Sequence, residues 1–285
     1  MTVRRGVTLV ELLIALVLSA GVAAAALTVL RQQLREVGQL VAHRVAEDAV
    51  IDSWSLLRAD LGSVIPVVNA DIGIVAGSDS TIELWALRGM AVVCDTSGSD
   101  DIVIVAPAAS DARAASWSAS PRTGDRLIAR VAPRFDSPDT DRWDHSDLVS
   151  VRGASRCPSA PGAPSISGLR WRVAGIRPAI GALLRIARRT QHRLYRSADG
   201  AWAIGVREWN GVAWSTTQPA VAPLAARIGP TAGIRLSAQH PSGAPLPWPG
   251  SAGDTLGIVV ATIRGGNTAG VPLDSALIAL PAGRP

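Results

Sequence analysis

Apolar positions follow three successive patterns along the chain. From Val7 to Leu30 (VTLVELLIALVLSAGVAAAALTVL) every residue but Glu11 is uncharged. As a helix rising ~1.5 Å per residue, this run would reach roughly 36 Å, enough to cross a bilayer core. Past it the apolar residues become periodic: Leu27, Leu30, Leu34, Val37, Val41 and Val45, then Val50, Trp54, Leu57 and Leu61. Steps of three and four predict an amphipathic helix, with one slip between Val45 and Val50. Arg31, Gln32, Arg35, Glu36, Gln39 and Glu47 fill its other face. Gly38 costs about 1 kcal/mol relative to Ala and allows a gentle bend. Gly62 is a stop signal, and Pro66 forbids continuation. One helix from Val7 to about Leu61 would be ~80 Å long.

From Ser63 onward short apolar or alternating runs recur between Gly, Pro, Ser and Asp. Examples are Thr81–Leu87, Met90–Cys94, Ile102–Ala106, Arg126–Val131, Leu148–Arg152, Leu169–Val173, Leu183–Arg189, Ile234–Ala238, Leu256–Ile263 and Ala276–Leu280, and they predict antiparallel strands. Pro158–Pro164 and Pro241–Gly253 read as loops, and the length leaves room for a small second sheet. The predicted class is α+β: a long N-terminal helix, apolar in its first half and amphipathic in its second, packed on a large antiparallel β-rich head. The predicted divisions are a leader at 1–6, a membrane or core helix at 7–30, an amphipathic continuation at 31–62 and the head at 63–285.

Glu11 stands out within this frame. A carboxylate inside a membrane helix costs on the order of 2.5–3.5 kcal/mol, less near the interface. Upstream, Met1-Thr2-Val3-Arg4-Arg5 is short and basic, which keeps the N-terminus cytoplasmic and sends the carboxyl end across. An ordinary secretory signal would account for the small residues Ala20, Ala23, Ala24, Ala25 and Ala26, but not for Glu11. A plain anchor with a coiled-coil stalk fits the periodicity and also leaves Glu11 unexplained. Cleavage after Gly6 accounts for it. Val7 would then carry a free amine, and in a packed array of helices Glu11 of one subunit would neutralise the amine of its neighbour.

Arg4-Arg5-Gly6-Val7-Thr8-Leu9-Val10-Glu11-Leu12-Leu13-Ile14-Ala15-Leu16 closely resembles the prepilin processing motif of type IV pilins and type II secretion pseudopilins. The family motif is Gly, a hydrophobic residue that is often Phe, Thr-Leu, an aliphatic residue and Glu; this chain departs from it at Val7. The resemblance covers about a tenth of the chain. It implies cleavage after Gly6 by a prepilin peptidase, N-methylation of Val7, and passage from the inner membrane, with the head periplasmic, into a filament of pilin-like subunits on an inner-membrane assembly platform. Leu194-Tyr195-Arg196, Gly200-Ala201-Trp202-Ala203-Ile204-Gly205 and Pro223-Leu224-Ala225 resemble the heads of J-type minor pseudopilins and W-type minor pilins. The expected role is that of a minor pilin or pseudopilin. The alternative is a membrane-anchored periplasmic binding domain on a helical tether.

The remaining chemistry changes this picture little. All 28 basic residues are Arg, and the net charge is +5. Arg185, Arg188, Arg189, His192, Arg193 and Arg196 cluster, which reads as a strand with arginines on its solvated face. DNA contact is the weaker reading, because Tyr195 alone interleaves an aromatic. Cys94 and Cys157 are an even pair, and in an exported domain they suggest a disulfide. Asp136, Asp139, Asp141, Asp144 and Asp147 form an acidic run, with Asp95, Asp100 and Asp101 elsewhere. Calcium is the ion such a run would suit, but the Gly and terminal Glu of an EF-hand are missing, so a solvated loop fits better and no cofactor is expected. Trp54, Trp85, Trp171 and Trp202 are expected in the core, and Trp117, Trp143 and Trp248 as anchors of loops. His43, His145, His192 and His240 are scattered, and no nucleophile elbow, phosphate loop or zinc motif is present, so no enzymatic activity is expected.

Overall fold

The computed structural model describes residues 8–64, 73–98, 100–107, 115–131, 142–158, 166–175, 177–227, 232–239, 242–246, 258–267 and 270–281. In chain order these form α1 (Leu9–Leu61), β1 (Ile74–Gly77), β2 (Thr81–Ser97), β3 (Asp101–Val105), β4 (Ala115–Trp117), β5 (Arg126–Val131), β6 (Arg142–Cys157), β7 (Ile166–Gly175), β8 (Leu183–Arg196), β9 (Trp202–Glu208), β10 (Gln218–Leu224), β11 (Ile234–Gln239), β12 (Pro245–Leu246), β13 (Ile258–Gly266) and β14 (Pro272–Pro281). The fold is α+β, with one long N-terminal helix and a large antiparallel sheet. The chain divides into two compact units, Met1–Val45 and Ala46–Pro285, and the boundary falls at the slip in the helical stripe.

In the first unit, residues 9–40 of α1 leave their side chains exposed, Val17 at 68% and Val22 at 71% among them. By length and composition this helix is apolar enough to cross a membrane. In the second unit, α1 buries Ala49, Val50, Leu57 and Leu61 against Leu84, Ile204 and Ile263 of the sheet. Burying a Val or Leu side chain contributes about 2 kcal/mol. Gly265 on β13 permits the close approach, because a Cβ there would lie 2.4 Å from the carbonyl oxygen of Ala46.

The fourteen strands form one hydrogen-bonded sheet, with no small second sheet among the described residues. The long strands β2 and β8 pair with each other, and that pairing closes β2, β3, β7, β6, β5 and β8 into a ring. Val93, Ile104, Trp171, Leu148, Leu127 and Ile186, one from each strand, belong to a single buried cluster that fills it. Trp117 of β4 packs onto Trp171 with ring centroids 6.3 Å apart. Beyond the ring, the first half of β2 and the second half of β8 continue into the open sheet that carries the helix.

Two predicted strands, Thr81–Leu87 and Met90–Cys94, are one strand, β2, with a bulge. Leu87 pairs with Ala187 and Gly89 with Ile186, so Arg88 is the extra residue. An extra residue shifts the alternation by one. Ile82, Leu84 and Ala86 before it and Ala91 and Val93 after it therefore all point inward, the first set to the helix core and the second to the ring. Part of the predicted loop Pro241–Gly253 is also strand, since Pro245 and Leu246 pair with Gln239 and Ala238.

Candidate functional site

At the N-terminal end the structure begins at Thr8, so Gly6 and Val7 lie outside the described residues. Thr8 is the N-cap of α1. Its backbone N–H donates to Glu11 Oε2 at 2.9 Å and its hydroxyl donates to the same oxygen at 3.1 Å. The Glu11 N–H returns a bond to Thr8 Oγ1 at 3.4 Å. This is a reciprocal capping box, a Thr-x-x-Glu pattern readable in the sequence. It satisfies helix-end donors and seats the carboxylate against the positive end of the helix. The hydroxyls of the apolar run are also met within the helix: Ser19 donates to Leu16 O at 3.0 Å and Thr28 to Ala25 O at 2.7 Å.

The second site lies where the last turn of α1 meets β2 and β8. Asp60 accepts from Arg88 Nη1 at 2.8 Å through Oδ1, and its Oδ2 lies 2.8 Å from His192 Nε2. Arg88 also donates to Thr190 Oγ1 at 3.1 Å and sits 3.5 Å from Glu208. Glu208 accepts from Arg188 at 3.1 Å and from Arg122 at 2.9 Å. Arg188 grips Asp125 with two bonds of 2.7 and 2.9 Å, and Asp125 is fully buried. Three arginines thus face three carboxylates, with His192 packed beside them. Its Nε2 faces Asp60, while its Nδ1 meets no partner among the described residues. Burial alone would raise the Asp60 carboxyl, but the bonds from His192 and Arg88 and the Arg88 charge outweigh it and hold the group below its ordinary value. Arg188 is likewise desolvated, yet Asp125 and Glu208 hold its pKa above the ordinary arginine value.

The predicted arginine cluster therefore does not share one face. Arg188 and His192 point inward, where they are 3% and 2% exposed, while Arg185, Arg189 and Arg193 point outward from β8. Nor is the outer face short of aromatics. Arg189 lies 5.8 Å from the Trp209 ring and 5.5 Å from Trp214, Arg207 lies 4.7 Å from Trp214, and Arg126 lies 4.2 Å from Trp85. These tryptophans come from β2 and from the β9–β10 connection, so linear spacing around Tyr195 did not reveal them.

Cys94 and Cys157 are joined in a disulfide, with Cα atoms 5.4 Å apart. Gly168 leaves room beside it, since a Cβ there would lie 3.3 Å from Cys157 Sγ and 2.7 Å from Val103 Cγ1. Of the acidic run, Asp136, Asp139 and Asp141 lie outside the described residues, while Asp147 pairs with Arg126 at 2.9 Å. Asp100 and Asp101 pair with Arg172 and Arg152, each at 3.4 Å. No group of three metal-ligating side chains occurs among the described residues. Trp85 and Trp171 are buried, Trp54 and Trp202 are partly so, His240 and Trp248 lie outside the described residues, and nothing is described of the Trp143 side chain. Protein-family models, characterised proteins and solved structures were all compared with the chain, and none matches.

Proposed function

We propose that the chain is a minor pilin or pseudopilin, a structural subunit of a type II secretion pseudopilus or a type IV pilus, processed after Gly6 and N-methylated at Val7. The observation that carries this reading is Gly6-Val7-Thr8-Leu9-Val10-Glu11 at the head of a long apolar helix whose side chains are exposed. Its partners would be other pilin-like subunits, a prepilin peptidase and an inner-membrane assembly platform. Before assembly it would sit in the inner membrane by a single pass, with the head in the periplasm. A head closed by a disulfide supports an oxidising compartment.

N-terminal sequencing and intact mass of the mature protein test the proposal. A start at N-methyl-Val7, lost when the prepilin peptidase is absent, is the expected result; a start at Met1 or after Ala26 overturns it. The capping box favours one second reading, a membrane-anchored periplasmic binding domain, because it gives Glu11 a role within its own helix. A mature protein that keeps Met1 would select that reading.

A further inference from the structure

We infer that the outer face of β8 and β9 is a docking surface for an extended acidic segment of a partner protein. Register defines the face. Gln191 pairs with Arg207 and Arg193 with Gly205, so Gln191, Arg193, Arg207 and Gly205 project to one side. The Arg207 Nε–H donates to Gln191 Oε1 at 2.8 Å, which confirms the shared side. Tyr195 lies over Gly205, where a Cβ would meet its ring at 2.5 Å. The inward residues of the same strands, Arg188, Thr190 and His192, are buried and engaged in the Asp60 network.

The charge on this outer face is compensated at Arg189 but not at Arg193 or Arg207 among the described residues. Glu83 pairs with Arg189 and also accepts from Gln191 Nε2 at 3.3 Å. Among the described residues, Arg193 meets no acceptor, and Arg207 meets a neutral amide oxygen and the Trp214 ring. Trp214 is within reach of both Arg189 and Arg207, and its ring together with the Gln191 bond pre-orients the Arg207 guanidinium with its terminal N–H groups unspent among the described residues. A planar fork held in this way matches a carboxylate bidentately. Carboxylates on alternate residues of an extended chain project to one side, roughly 6.8 Å apart, matching the rise of the strands beneath. Nucleic acid fits less well. Binding single strands needs open aromatic faces for base stacking, whereas Trp85 is 7% exposed beneath Arg126 and Trp214 already carries arginines.

The test is fluorescence anisotropy with full-length protein in detergent. The probe is a labelled acetyl-(Asp-Ser)4-amide peptide, with (Asn-Ser)4, oligo-dT8 and inorganic phosphate as competitors. Peptide binding that Asn-Ser, dT8 and phosphate fail to compete is expected. Arg193→Gln with Arg207→Gln should weaken it by about tenfold or more, and Arg193→Lys should retain part of it. Arg193 has no hydrogen-bond or ion-pair partner among the described residues, so Arg193→Gln alone should spare the fold, which a urea midpoint checks, and still report. Absence of peptide binding, equal binding in the double variant, or stronger binding of dT8 would each overturn the inference.

Discussion

Arg88, the extra residue of the β2 bulge, donates its Nη1–H to Oδ1 of Asp60 in the last turn of α1, at 2.8 Å. The bulge that brings both halves of β2 to one face thus also supplies the cation that receives the helix end. Removing one partner of such a pair leaves the other charge buried and unmatched, at a cost of about 3–5 kcal/mol. Asp60→Asn should therefore lower the urea midpoint of the head markedly. Asp60→Leu combined with Arg88→Met should recover much of the loss, because an apolar replacement of both partners leaves no orphan charge. Asp100→Asn is the control: its pair with Arg172 is about half exposed on both sides, and the change should stay within about 0.5 kcal/mol.

The same contact predicts a pH dependence. The Asp60 carboxyl titrates below its ordinary value of 3.8 in the folded head, so the unfolded state binds the proton more readily. The stabilisation is present in full well above 3.8 and is lost as pH falls through the lower folded value. Urea midpoints measured from pH 6 to pH 3 should fall toward the acid end, and the fall should be shallower in Asp60→Asn. Equal slopes in the two proteins would remove Asp60 from the acid transition.

The disulfide should stabilise the head chiefly through the unfolded chain. It closes a loop of sequence separation 63, for which the chain-entropy model gives about 4 kcal/mol. Reduction, or Cys94→Ser with Cys157→Ser, should lower the denaturation midpoint, and unfolded non-reduced protein should take up no thiol reagent. Full labelling would show that the bond does not form.

What the sequence disclosed depended on how local each signal was. The apolar helix, the Val50–Leu61 stripe and the strand Arg126–Val131 rest on periodicity within a few residues, and each has its counterpart in α1 and β5. β2 read as two strands because the Arg88 bulge reverses the phase of alternation. β9 and β10 went unread, since Gly205 and the prolines 219 and 223 break the apolar pattern. The ion-pair network had no sequence signature: Asp60 lies 28 residues from Arg88 and 132 from His192. A period-two reading of 185–193 would have separated the inward Arg188 and His192 from the outward arginines.

Gly265 carries a packing prediction. A methyl group there would meet the Ala46 carbonyl oxygen at 2.4 Å and the Ala46 Cβ at 2.8 Å. Neither can yield without moving the helix backbone, so Gly265→Ala should cost about 1–3 kcal/mol and Gly265→Val more. Ala46→Gly should recover little of the loss in Gly265→Ala, because it removes the Cβ but leaves the Ala46 carbonyl oxygen at 2.4 Å and its carbon at 2.8 Å. Denaturant midpoints of the three variants read this directly.

Glu11 has two candidate roles, and two substitutions separate them. In the capping box its oxygen accepts from the Thr8 N–H and hydroxyl, which glutamine also does. In the proposed filament its negative charge would neutralise the amine of a neighbouring subunit, which glutamine cannot do. Glu11→Ala removes both functions. If the charge governs assembly, Glu11→Gln and Glu11→Ala should be equally defective in filament incorporation, with cleavage after Gly6 largely intact in both. If the cap governs, Glu11→Gln should assemble nearly as the wild type does, and Thr8→Val should share the defect of Glu11→Ala. The charge-pair reading predicts the first pattern, because the capping bonds are met within one helix and contribute about 1 kcal/mol, whereas an uncompensated charge in lipid costs on the order of 2.5–3.5 kcal/mol. Incorporation is measured by co-sedimentation of each variant with sheared filaments, and the Gln variant alone decides between the two.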